Sequence, residues 1–140
     1  MSRSEPEAVT TLGGDVVELT VPADSAYVAV VRTATAGLAA RLSFTLDEIE
    51  DLRIAVDEAC AMLLGLPAPD APHQAILTCR FDVLTDGLAV TVSAPTKPRA
   101  ALPVGQSFAW QVLTAHASEV NGRSEDGHAT ISMVKRRSAH

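Results

Sequence analysis

Residues 45–64, TLDEIEDLRIAVDEACAMLL, decide the fold of this chain. Thr45 and Glu48 have the T-x-x-E spacing of a capping box, in which each side chain accepts a hydrogen bond from the other residue's backbone at a helix start. Apolar residues then recur every three or four positions, which predicts one buried helical stripe. The stripe consists of Ile49, Leu52, Val56, Ala59 and Leu63. Gly65 and Pro67 predict the end of the helix.

Composition limits the class of protein. The 140 residues are 47% hydrophobic and 20% charged, which is typical of one globular domain. A net charge of −6 argues against a general nucleic-acid binder, which needs a basic patch. No apolar run approaches the ~18 residues of a membrane span, and the acidic N-terminus is unlike a signal peptide, so we expect a cytoplasmic protein. Cys60 and Cys79 have no metal-site spacing and are expected to be buried, reduced thiols.

The flanking sequence predicts the order strand, two helices, hairpin, long loop, helix, strand. Polar and apolar residues alternate over 15–22, which predicts a half-buried strand. Asp24 can then cap the first helix. That helix ends at Ser43, a hairpin turns at 85–87, a third helix spans 107–117 and the last strand spans 129–135. The first helix carries the stripe Val28, Val31, Thr35, Leu38 and Leu42.

We therefore predict an α+β fold, a two-layer α/β sandwich in which a mostly antiparallel sheet carries helices on one face. A disordered arm over residues 1–14 precedes a single domain at 15–136, and a tail at 137–140 follows it. Lys135, Arg136 and Arg137 are expected to be a solvated basic end. Arg53 is expected to pair with Asp57, one helical turn away.

Two segments, VVRTATAGLAARLSFTLDEIEDLRIAVDEAC at 30–60 and QSFAWQVLTAHASEV at 106–120, carry a family resemblance. They resemble the anti-sigma-factor serine kinases, the RsbW-like branch of the histidine-kinase-like ATPase fold, and are most similar to actinobacterial members. The resemblance covers residues 16–135. It implies a homodimer that binds a sigma factor and blocks its access to RNA polymerase. Kinase members of the family also phosphorylate a serine of an antagonist protein, which controls release.

The resemblance places Glu58 at the family's catalytic glutamate, which activates the attacking hydroxyl as a general base. Glu58 is also compatible with an ordinary surface carboxylate, solvated or paired. Met62 stands where the family has its magnesium-binding asparagine. Magnesium requires oxygen ligands and a thioether is soft, so Met62 is better explained by packing.

The other nucleotide-binding positions of the family also differ here. Ala94 and Thr96 replace the aspartate and first glycine of the Asp-x-Gly-x-Gly element, and a methyl group cannot accept the adenine hydrogen bond. Ser107 and Ala109 replace glycines of the phosphate-wrapping turn, where backbone freedom is needed. Phe108 and Trp110 beside them are expected to pack against the core. We therefore expect no cofactor, with ATP and magnesium as the alternative.

The partner-binding positions are better preserved. Arg32 matches the family's arginine that contacts the sigma factor, although a solvated arginine is the simpler reading of the residue alone. Val28 lies one turn earlier, where some relatives have an acidic residue, and we assign both to partner binding. We expect an anti-sigma factor of the stress or development type, released by an anti-anti-sigma antagonist of the STAS type, without kinase activity. The alternatives are a serine kinase with Glu58 as base and a small-ligand-binding module.

Overall fold

A computed structural model of the chain describes residues 14–70, 75–105 and 107–138. A 3₁₀ turn (Ser25–Tyr27), started by a hydrogen bond from the Ala26 amide to Asp24, precedes the first α-helix. The predicted disordered arm lies outside the described residues except for Gly14. The elements are β1 (Val16–Pro22), α1 (Val28–Arg41), α2 (Leu46–Leu64), β2 (Ile76–Leu84), β3 (Gly87–Pro95), α3 (Phe108–His116), β4 (Glu119–Glu125) and β5 (His128–Arg136).

The five strands form one sheet in the order β1-β2-β3-β5-β4, and every neighbouring pair is antiparallel. Buried side chains alternate along the central strands, so one face of the sheet packs under the helices and the other face meets solvent. The predicted α+β architecture is confirmed. None of the helices in the described ranges is both long and apolar enough to cross a membrane.

The prediction of four strands was wrong because β4 was missed. Its sequence, EVNGRSE, is mostly polar and its residues are mostly exposed. As an edge strand it pairs only with β5, and charged side chains are a common protection of such edges. A strand of this kind lacks the apolar alternation by which strands are recognised.

The capping box predicted for α2 is present. The Glu48 amide donates to Thr45 Oγ1 at 3.1 Å, and the Thr45 amide donates to Glu48 Oε1 at 2.8 Å. The α2 stripe faces the core, where Leu52, Val56 and Ala59 are fully buried. On α1 the buried residues are Val31, Thr35 and Ala39, whereas Leu38 and Leu42 are only half-buried, so the stripe is centred slightly off the predicted line.

Two predictions about charged residues were wrong. Arg53 pairs with Glu50 at 3.0 Å, which leaves Asp57 to Arg32 of α1 at 3.5 Å. The basic residues 135–137 are not a solvated end, since each bonds to another part of the domain. Lys135, for example, reaches Asp51 of α2 at 3.0 Å, and its side chain is only 16% exposed.

Candidate functional site

Glu58 and Met62 lie on the same side of α2, because they are one helical turn apart. Met62 is 8% exposed and belongs to the hydrophobic core, as its apolar side chain predicts. Glu58 is half-buried, and no hydrogen bond or ion pair of its side chain is found within the described part of the chain. At these two positions the helix therefore offers an unpaired carboxylate and, in place of a metal ligand, a packed thioether.

Ala94 lies near the end of β3 and Thr96 directly follows the strand, and both are buried, at 3% and 5% exposure. Ala94 pairs with Ala129 of β5. Thr96 is fixed by its backbone, whose amide donates to the Gly127 carbonyl at 2.8 Å, and its hydroxyl donates to the Lys97 carbonyl at 3.0 Å. Ala94 has no polar side-chain atom, and the Thr96 hydroxyl already donates its one proton within the loop.

The loops next to Ala94, the residue that the resemblance aligns with the adenine-binding aspartate, are joined to each other. The Lys97 amide donates to the Pro67 carbonyl at 3.0 Å, which joins the loop after β3 to the loop after α2. Leu102 of the same loop is only 7% exposed. A cavity beside Ala94 has a volume of about 50 Å³, and Leu63 and Leu66 are among the residues that line it. Small-molecule sites generally enclose ~300–1,000 Å³, so a nucleotide is far too large for this cavity.

The start of α3 is an ordinary capped helix. Ser107 accepts a hydrogen bond from the Trp110 amide at 3.1 Å and donates to the Pro103 carbonyl at 2.8 Å. The expected packing of Trp110 is confirmed, since its ring lies against Gly122 so closely that an added Cβ there would sit 3.1 Å from it. The same expectation for Phe108 was wrong, because its side chain is 80% exposed.

Taken together, these residues do not fit magnesium and ATP. A magnesium ion bridging phosphates requires several hard oxygen ligands, and Met62 and Ala94 supply none. Across the described residues, no group of three or more His, Cys, Asp or Glu side chains is placed to hold a metal ion. We derive no chemical step through a nucleotide in this cavity.

Arg32 lies in an open groove between α1 and α2. Its Nη1 approaches Asp57 Oδ1 at 3.5 Å, and the two side chains are 30% and 47% exposed. This single long contact leaves most of the guanidinium donors available. The groove has a volume of about 490 Å³, and Val28, Ala29, Ala61 and Leu64 form its apolar walls. The structure thus brings together the two sequence-predicted residues Arg32 and Val28, in a groove whose described lining does not include Glu58.

Asp57 is the residue of this groove that the sequence did not reveal. Its spacing from Arg53 suggested a pair within one helix, which the structure does not form. The sequence did carry a signal for the Arg32–Asp57 pair. A short turn joins α1 and α2, and the two residues lie at similar distances along the chain from that turn. The buried neighbour Cys60 is inert, since burial, followed by the charge of Asp57, raises the pKa of its thiol to about 12 against the opposing effect of Arg32.

Comparisons with known proteins point to one group. The chain is 33% identical over 130 residues to the anti-sigma-F factor RsbW of Mycobacterium tuberculosis, an alignment covering 88% of this chain and 74% of that protein. It is 39% identical over 79 residues to the serine-protein kinase RsbW of Bacillus velezensis and of Bacillus subtilis, which covers 56% of this chain. The alignment covers 49% of each Bacillus protein, so the chain spans about half the length of these relatives. No protein-family model matches it.

A solved structure supports the fold. The crystal structure of the RsbU and RsbW domains of a Mycobacterium tuberculosis protein matches with a TM-score of 0.62 at 16% sequence identity. The match covers 90% of this chain and 33% of that one. At this identity the likeness concerns the fold, and it agrees with the antiparallel sheet and helical layer described above.

Proposed function

Because this chain belongs to the RsbW family of anti-sigma factors, we propose that it binds and sequesters an alternative sigma factor. The observation that carries this proposal is the Arg32 groove. It is open, and it joins one incompletely paired cation to apolar walls.

The groove suits a protein partner that presents a carboxylate beside apolar side chains. Arg32 has a planar fork of donors that can bind a carboxylate at two points, and its one contact with Asp57 is too long to occupy them. Val28 and Leu64 provide apolar surface on either side. A central arginine flanked by apolar contacts is a common source of binding energy in protein interfaces.

We further propose that binding needs no nucleotide and that the chain has no kinase activity. The support is the small cavity beside Ala94, of about 50 Å³, together with Met62 and Ala94 in the places of a metal ligand and an adenine acceptor. Release would then come from an anti-anti-sigma antagonist that competes for the chain directly. The small volume also argues against reuse of this cavity for another small ligand.

A serine kinase acting on that antagonist is the second candidate. Two observations favour it: the Bacillus relatives are serine-protein kinases, and Glu58 is half-buried with no partner among the described residues. Incubation with magnesium, γ-labelled ATP and the purified antagonist separates the two candidates. Transfer of the label to the antagonist by wild type, and loss of that transfer with Glu58→Gln, would establish the kinase activity.

We propose that the chain acts as a homodimer through α1 and β1. The first half of the outer face of α1 is formed by Ala29, Val30, Thr33 and Ala34, and Val30 is 47% exposed. Val16 and Val17 of the edge strand β1 are 43% and 40% exposed. The sequence suggested Val17, Leu19 and Val21 as this surface, but Leu19 and Val21 already pack in the core. An interface centred on these uncharged residues limits the acidic side chains that two molecules of net charge −6 bring together.

The sigma-factor proposal is tested by charge reversal at Arg32. The tagged chain is used to recover its sigma factor from the host, and the purified pair is then measured by calorimetry. Arg32→Glu should weaken binding at least ~30-fold, which corresponds to the ~2 kcal/mol of a central interface arginine. Arg53→Glu and Arg80→Glu are the controls, because both are exposed, ion-paired arginines outside the groove. Equal affinity of Arg32→Glu and wild type, with unchanged melting, would contradict the proposal.

A further inference from the structure

The end of β5 and the two residues after it, 135–138, lie across the corner between α1 and α2; we name these residues the strap. Lys135 begins it with the ion pair to Asp51 of α2. Arg136 is the exception in the strap, because its guanidinium bonds to the exposed carboxylates of Asp86 and Glu119 and does not reach either helix.

Arg137 connects three elements. Its Nη1 donates to the Leu42 carbonyl at 3.1 Å, its Nη2 donates to the Thr85 carbonyl at 3.2 Å, and its backbone amide donates to the Asp86 carbonyl at 2.7 Å. Leu42 caps the C-terminal end of α1, where helix carbonyls have no partner within the helix. The side chain therefore ties that end of α1 to the β2–β3 turn.

Ser138 completes the strap at the start of α2. Its amide donates to Glu48 Oε2 at 2.7 Å, while the other oxygen of Glu48 serves the capping box. Glu48 is 9% exposed, and such a carboxylate needs its hydrogen bonds to stay charged. Burial raises its pKa, but the bonds from Thr45 and Ser138 outweigh this effect and lower the pKa to about 2.

The corner that the strap spans is itself strained. Ser43 has a φ of +67°, a left-handed conformation that costs a residue other than glycine some free energy. It lies between Leu42, which Arg137 holds, and Thr45, which shares Glu48 with Ser138. Both sides of the strained residue are thus fixed by the strap.

We propose that the strap is a conformational lock on the α1–α2 corner, so that its detachment loosens α1 and with it the placement of Arg32. The consequence for Arg32 adds regulation to the sigma-factor site and rests on the proposed function. The lock itself does not, because every contact that forms it lies within this chain.

Hydrogen exchange followed by mass spectrometry tests the lock without any partner protein. In Arg137→Ala, amides in the second half of α1 should exchange at least tenfold faster than in wild type. Arg136→Ala removes a neighbouring arginine with two exposed ion pairs, and should leave α1 within twofold. Adding Ser43→Gly to Arg137→Ala relieves the strained φ, so the α1 amides of the double variant should exchange at least threefold more slowly than those of Arg137→Ala.

Three results would overturn the lock: unchanged exchange in Arg137→Ala, the same increase in Arg136→Ala, or an increase spread evenly over all elements. If Arg137→Ala does not fold, Arg137→Lys keeps the charge but not the two-point fork, and the same thresholds apply to it. If Arg137→Ala has wild-type hydrogen exchange but altered sigma-factor binding, the result counts against the lock alone. If the amides of α1 exchange faster in this variant but the chain binds no sigma factor, the result counts against the proposed function alone.

Discussion

Glu48→Gln is the most informative single change for stability, because it keeps the shape of a buried group and alters one bond. The glutamine can still accept the Thr45 amide through its carbonyl oxygen, which preserves the capping box. Its other terminal atom is an NH₂ group, which cannot accept the Ser138 amide now bound at 2.7 Å. Two donors would then face each other at a position that is 9% exposed.

The expected loss follows from the bond that disappears. A hydrogen bond to a charged group contributes about 1.5–3 kcal/mol, so the free energy of unfolding should fall by roughly that amount at neutral pH. For a domain of this size this corresponds to a decrease in Tm of roughly 4–10 °C. Glu50→Gln is the matched control, since Glu50 is exposed and pairs only with Arg53 along the same helix. Such a surface pair contributes at most about 1 kcal/mol.

The pH dependence provides the second signature. Folding lowers the pKa of Glu48 from 4.5 to about 2, so its stabilising contribution is complete above pH 4.5 and is lost as the pH falls towards 2. Urea unfolding of wild type and Glu48→Gln should therefore differ most at pH 5 and above, and the difference should shrink between pH 4.5 and 2. A difference that is absent at pH 7, or constant down to pH 2, would refute the role assigned to this carboxylate.

Three further changes follow from packing and surface. Met62→Asn should lower the free energy of unfolding by about 2–5 kcal/mol, because it replaces a buried apolar side chain with a polar one, and calorimetry should still detect no magnesium-dependent ATP binding. Val30→Glu should shift the chain from dimer to monomer in sedimentation at tens of micromolar, whereas Leu46→Glu, at a more exposed apolar position outside the proposed interface, should not. Gly122→Val should cost about 1–3 kcal/mol in urea unfolding, because its side chain would meet the Trp110 ring.

The elements that the sequence predicted well are those whose signal is local. The α2 capping box, the β2–β3 hairpin and the helix end at Ser43 depend on neighbouring residues, and all are present. The strand β4 was missed because an edge strand is defined by its partner, here β5, and not by its own apolar pattern.

The site residues differ in the same way. Burial of Met62 and Ala94 could be expected from their side chains, and Cys60 and Cys79 are buried as predicted. The pair Arg32–Asp57 and the bonds of Arg137 join residues far apart in the chain. The short α1–α2 turn gives a signal for the first, whereas no spacing rule reveals the second. The roles of Glu58, Arg32 and Val28 remain predictions, since they depend on partners and not on the fold.

Sigma-factor binding without a nucleotide is tested most directly by one titration performed under two conditions. The purified chain is titrated with its sigma factor by calorimetry, first with millimolar magnesium-ATP and then with EDTA and no nucleotide. We predict saturable binding in both conditions, with dissociation constants that agree within threefold, because the cavity of about 50 Å³ admits no nucleotide and Arg32 lies outside it. Failure to bind the sigma factor at all, or affinity that improves tenfold or more with magnesium-ATP, would contradict this claim.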